Sequence, residues 1–148
     1  MISEAKMLDL TNELARVKSQ QNIAAALDIY HPDIELISPS FDSISRGYTE
    51  TLKNLQVFFT LFPDYQVRLG DYAINGPMLL ATGEVSVTPL IPGHPCPKVT
   101  VPVFLEFHFK DERIVKETFF LDVGMICKRA NITLGQLRAT AINASRPI

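Results

Sequence analysis

Pro63 divides this chain into two textures, and that division narrows the fold more than any single motif. Ahead of it, apolar residues recur every three to four positions; beyond it, β-branched and aromatic residues alternate in short runs broken by turn signals. Ser3 is placed to cap a helix over about 3–18, with Met7, Leu10, Leu14 and Val17 on one stripe. A second short helix carries Ile23, Ala24, Leu27 and Ile29 and ends at Tyr30-His31-Pro32, because proline disfavours helical geometry in the residue before it. Ile34 to Ile37 reads as a short strand. Gly47-Tyr48-Thr49-Glu50 opens a third helix that presents Leu52, Leu55, Phe58, Phe59 and Phe62 before Pro63 stops it. Four strands follow, over 65–74, 78–88, 99–110 and 113–122, with Asn75-Gly76-Pro77 the strongest turn. The segment 89–97 holds four prolines and belongs in a rim loop rather than a central strand. A short helix over 123–130 precedes a weakly patterned C-terminal tail, 132–148. Helices segregated ahead of a meander predict one α+β domain spanning 1–148.

Composition removes several function classes. At 148 residues with 47% hydrophobic content the chain can bury a real core. A formal charge of -2, without a Lys/Arg cluster, argues against nucleic-acid binding, which rests on neutralising phosphates. No apolar run approaches the roughly 20 residues that span a bilayer, so no membrane partner is expected. Met1 to Lys6 lacks the pattern of a secretory leader, and Cys96 and Cys127 do not make a disulfide framework; a cytoplasmic location is the expectation. His94-Pro95-Cys96 has no second pair at zinc spacing, so no metal is expected. Nucleophile-elbow and phosphate-loop patterns are missing too.

The hairpin formed by the last two strands carries the chemistry. Alternation puts Pro102, Phe104, Glu106 and His108 on one face of their strand, and Val101, Val103, Leu105, Phe107 and Phe109 on the other. The mixed face suits a cavity. The apolar face needs cover, from helices of the same chain or from a second subunit, and a homodimer through it is the expectation. Whether Asp122 joins Glu106 and His108 depends on register. A two-residue turn at Asp111-Glu112 pairs Phe109 with Ile114 and sends Asp122 to the opposite face; a three-residue loop with a bulge pairs His108 with Ile114 and unites them. The three-residue loop is the expectation, with Glu112 in a left-handed conformation at a cost of about 1 kcal/mol.

Gly47 before a helix ending Phe62-Pro63-Asp64, and the run Phe107-His108-Phe109-Lys110-Asp111-Glu112-Arg113-Ile114 leading to Asp122, resemble the SnoaL-like polyketide cyclases of the NTF2-like, ketosteroid-isomerase-like superfamily over roughly residues 3–131. The resemblance implies a cone: a curved antiparallel sheet wrapped around N-terminal helices, with an apolar central cavity and dimers formed through the sheet. It implies that Asp122 is the general acid/base, with Glu106 and His108 at the positions of the cyclases' glutamine and histidine. Thr118 stands where those enzymes have tryptophan, and Glu112 where they have a turn glycine. The expected substrate-binding residues are Phe104, Thr118, Phe120, Phe62, Tyr48 and Phe41.

Convergence of the three ionisable groups would raise the pKa of Asp122 by desolvation and let it exchange a proton with a carbon acid near neutral pH. The expected function is a cofactor-independent cyclase or isomerase of an apolar cyclic, polyketide- or terpenoid-like molecule, acting by proton abstraction beside a carbonyl. A dehydratase or an epoxide hydrolase is an alternative within the enzyme class. Plainer readings stand beside these. Glu106 and His108 also suit a solvated face, Asp122 also suits the cap of the helix at Val123, and the fold also serves as a non-catalytic binding or dimerisation module. The polar side of the strand holding Thr82, Glu84, Ser86 and Thr88 is read as solvent-facing, and Phe58, Phe59 and Phe62 as core before ligand contacts.

Overall fold

The computed structural model describes residues 1–146. Helix α1 (Glu4–Lys18) begins where the Ser3 side chain accepts the Lys6 N–H, and it buries Met7, Thr11, Leu14, Val17 and Lys18 along one stripe. Helix α2 (Ile23–Ile29) is capped by Asn22 and runs directly into strand β1 (Tyr30–Ser38), which is longer than its apolar run predicts. A single 3-10 turn, Pro39–Phe41, leads to β2 (Ser43–Arg46), a strand too short and serine-rich to register as one in the sequence. Helix α3 (Gly47–Leu61) follows, then β3 (Gln66–Asn75), β4 (Met78–Val87), β5 (Val99–Lys110), β6 (Arg113–Leu121), α4 (Val123–Ala130) and α5 (Leu134–Ser145). The tail therefore holds a helix, started by a capping box in which Thr133 and Gln136 satisfy each other's backbone N–H.

The six strands form one curved sheet in the order β2-β1-β6-β5-β4-β3, antiparallel throughout except for β1 beside β6. One face is buried along its length: Leu79, Ala81, Val85 and Val87 on β4, the odd-numbered residues Val99 to Phe109 on β5, and Phe119 and Leu121 on β6. The cover comes from the chain's own helices. Thr11, Leu14 and Lys18 of α1 close over Val67, Leu69, Leu105 and Phe107. This corrects the expectation that a second subunit would sit on the apolar face of β5. Burying an amphipathic helix stripe and an amphipathic sheet face against each other satisfies both at once. Gly83 lies opposite a bulge in β3 where a Cβ would fall 2.6 Å from the Arg68 carbonyl oxygen, so the backbones meet there only through glycine.

The hairpin register differs from the expected three-residue loop. Lys110 pairs with Arg113 and Phe109 with Ile114 across a two-residue turn, in which both Asp111 (φ 51°) and Glu112 (φ 56°) are left-handed. Two consecutive residues of that kind give the turn whose twist matches the flanking strands. One extra residue, Val115, then bulges, because His108 pairs with Lys116. The bulge restores the phase that the longer loop would have given, and Lys116, Thr118 and Phe120 share a face with Glu106 and His108.

Candidate functional site

The space between α1 and the sheet is filled rather than open. Around a void of about 10 Å³, no larger than one water molecule, stand Thr11, Lys18, Tyr65, Leu105, Phe107 and Glu117. Glu117 is 1% exposed at its side chain and takes Lys18 Nζ at 3.0 and 3.1 Å on its two oxygens, while Tyr30 donates its hydroxyl to Oε1 at 2.5 Å. Burial, and after it the Glu117 charge, pushes the Tyr30 and Tyr65 phenols well above their ordinary range, so both stay protonated and Tyr30 stays a donor. Both oxygens of Glu117 have hydrogen-bond partners, which is the condition for keeping a charge in such a place. Above this cluster Phe58 packs edge-on against Phe62, Tyr65 and Phe119 at ring separations of 5.1, 5.1 and 5.7 Å.

The sequence carries a signal for this pair that the hairpin reading passes over. Thr11 and Lys18 complete the 7-11-14-18 stripe of α1, and Glu117 is in phase with Phe119 and Leu121. Opposite charges placed in step with two apolar faces announce a buried ion pair.

The expected catalytic residues lie elsewhere. Glu106 and His108 face away from the helices on the outer side of the sheet, joined by a 2.8 Å contact between His108 Nε2 and Glu106 Oε1, with about a third of each side chain exposed. Asp122 shares their phase but sits beyond the Val103–Leu121 pair, more than three residues of strand from Glu106, which is about 10 Å or more at 3.3 Å per residue. Its carboxylate accepts the Met125 N–H at 2.9 Å and caps α4. Asp122→Ala is therefore expected to destabilise the fold by about 1 kcal/mol, the ordinary cost of a lost cap, as measured by urea unfolding; an unchanged midpoint would contradict that role.

The expected substrate-binding residues scatter likewise. Phe104 and Phe120 stand half exposed on the outer face beside Leu80, and Thr118 is buried between Ile37 and Glu106 in the same sheet layer. Phe62 is wholly buried in the aromatic cluster, and Tyr48 donates to the Tyr30 carbonyl at 2.9 Å. Phe41 alone of the six borders a large open pocket. Glu84 faces solvent in an ion pair with Arg68, as its strand's alternation predicts.

That pocket, about 570 Å³, lies between α3, α5 and the β1–β2 corner. Helix α3 turns Glu50, Lys53, Asn54, Val57, Phe58 and Leu61 toward it, one face at three- and four-residue spacing. Ser38, Ser43 and Ser45 form its floor with Phe41, and Arg138, Ala141, Ile142 and Ser145 of α5 form the far wall. Asn54 donates to the Ser43 hydroxyl at 3.1 Å, and Glu50 accepts the Arg46 backbone N–H at 3.0 Å. Among the described residues neither Lys53 nor Arg138 takes part in an ion pair. The arrangement is an apolar slot with hydroxyls at its base and two cations toward solvent. Sequence reading misses it because its far wall is α5.

The profile of the SnoaL-like domain family matches residues 12–117. Among solved structures, a protein assigned as a SnoaL-like polyketide cyclase from Jannaschia sp. CCS1 superposes with a TM-score of 0.76 at 15% identity, covering 90% of this chain and 98% of that one. A protein assigned as a polyketide cyclase from Acidithiobacillus ferrooxidans gives 0.74 at 18% identity over 88% and 98%. A hypothetical protein with a ketosteroid-isomerase-like fold from Catenulispora acidiphila, in complex with trimethylamine, gives 0.76 at 10% identity over 84% and 93%. No curated protein matches the chain.

Proposed function

Because this chain belongs to the SnoaL-like domain family, we propose that it binds a small, apolar, ring-containing molecule in the pocket between α3 and α5. The pocket itself carries the reading: about 570 Å³ lies within the range of small-molecule sites, and its wall of Phe41, Val57, Phe58, Leu61 and Ile142 is broken by a few fixed polar groups. This favours the binding module over the cyclase, since no expected catalytic group reaches that wall. The neighbours assigned as polyketide cyclases support ring-containing ligands by analogy alone. Calorimetric titration with methyl 1-naphthaleneacetate is expected to show binding that falls ten-fold or more in Ala141→Trp, where the indole fills the slot. Equal affinity in the two proteins would remove the pocket from the account.

A second reading keeps acid–base chemistry, and the Glu106–His108 contact favours it. In it the chain is a cofactor-independent cyclase or isomerase that takes a proton from carbon beside a carbonyl. A second copy laid on the outer face would cover Leu80, Phe104 and Phe120 and enclose the pair, so homodimer and site stand together. Asp122 holds α4 in place and is no part of that pair. On this reading Phe104→Lys yields a monomer in sedimentation, and His108→Ala lowers turnover of an enolisable cyclic ketone by about 100-fold; a dimer that survives the first change, or activity that survives the second, refutes it. The free thiols of Cys96 and Cys127 support a cytoplasmic setting. Among the described residues no helix is long and apolar enough to cross a membrane.

A further inference from the structure

We propose that the ligand of the α3–α5 pocket carries a carboxylate, held at the mouth by Lys53 and Arg138; this rests on the pocket being a binding site. The two cations come from different helices and border the same slot. Neither is engaged by a carboxylate among the described residues, so both ends are available to an anion in the slot. The pocket's one carboxylate, Glu50, accepts a backbone N–H at the start of α3. It leaves the slot with a local excess of one positive charge.

The shape of the lining orients such a ligand. Phe41, Val57 and Leu61 offer no hydrogen bonds and take the ring body, while an anionic group placed among them would be desolvated without compensation. The anion therefore points outward. There the planar guanidinium of Arg138 matches the two oxygens of a carboxylate, and the Lys53 ammonium adds a point charge. Both side chains are exposed, so solvent limits what each contributes. Their role is orientation and selection between charged and neutral ligands, with a preference of about ten-fold expected from two screened contacts.

The test compares 1-naphthaleneacetate with its methyl ester, by calorimetry on the whole chain at low and high salt. The acid is expected to bind about ten-fold more tightly at low salt, and the gap should narrow at high salt as screening grows. The double variant Lys53→Ala, Arg138→Ala is expected to bring the acid down to the affinity of the ester. Both positions are exposed, and circular dichroism verifies that the variant is folded. Acid and ester binding equally to the unaltered protein would overturn the carboxylate while leaving the pocket reading in place. Failure of both ligands to bind would overturn the pocket reading and this inference with it.

Discussion

Replacing Lys18 with methionine is expected to destabilise the protein by about 3–5 kcal/mol, because it strands the Glu117 carboxylate in the interior with only the Tyr30 hydroxyl for company. For a domain of this size that lowers the melting temperature by on the order of 10 °C. The companion measurement separates the cost of an orphaned charge from the worth of the pair. A double change, Lys18→Met with Glu117→Leu, removes both charges together and is expected to recover most of the loss, since apolar residues of similar volume replace buried pairs at little cost. Thermal melts of the single and double variants decide the matter. A Lys18→Met protein as stable as its parent would mean that water reaches Glu117, against its 1% exposure.

The second large effect is expected at Phe58. Truncation to alanine removes edge-on contacts to Phe59, Phe62, Tyr65 and Phe119 and is expected to cost about 3 kcal/mol, at the low end for a phenylalanine because the ring is only partly buried. The consequence reaches beyond stability. Phe58 borders the large pocket and packs against Tyr65, which borders the small void beside Glu117, so removing the ring deepens the large pocket toward Tyr65. Benzene should then raise the melting temperature of Phe58→Ala more than that of the unaltered protein, as an apolar ligand does for an engineered apolar cavity. Equal shifts in both proteins would mean that the surrounding rings collapse into the gap.

Most of the architecture was legible because it rests on periodicity. The stripe of α1, the broad face of α3 and the alternation of β3 to β6 each extend over many residues, and tertiary packing had only to confirm them. β2 and α5 escaped for opposite reasons. The first has four residues and no apolar run, and the second wholly buries only Leu137, so its one strong signal was the capping box at Thr133 and Gln136. At the site, alternation correctly separated the mixed face of β5 from the apolar one. It does not say which face the helices will choose, and here they chose the apolar one, leaving Glu106 and His108 outside. Turn length alone does not decide the register, because a short turn followed by a bulge reaches the same phase as the longer loop.

The bulge at Val115 gives the buried pair a second job. Were the hairpin to zip evenly from its turn, Val115 would face His108, and every later residue would trade sides: Lys116 would swing inward toward Lys18, and Glu117 would point to solvent. That alternative sets two ammonium groups against each other in a place that tolerates neither alone. A single salt link thereby acts as a ratchet pawl for the strand, holding it one notch out of simple alignment and keeping Phe119 and Leu121 in the interior as well.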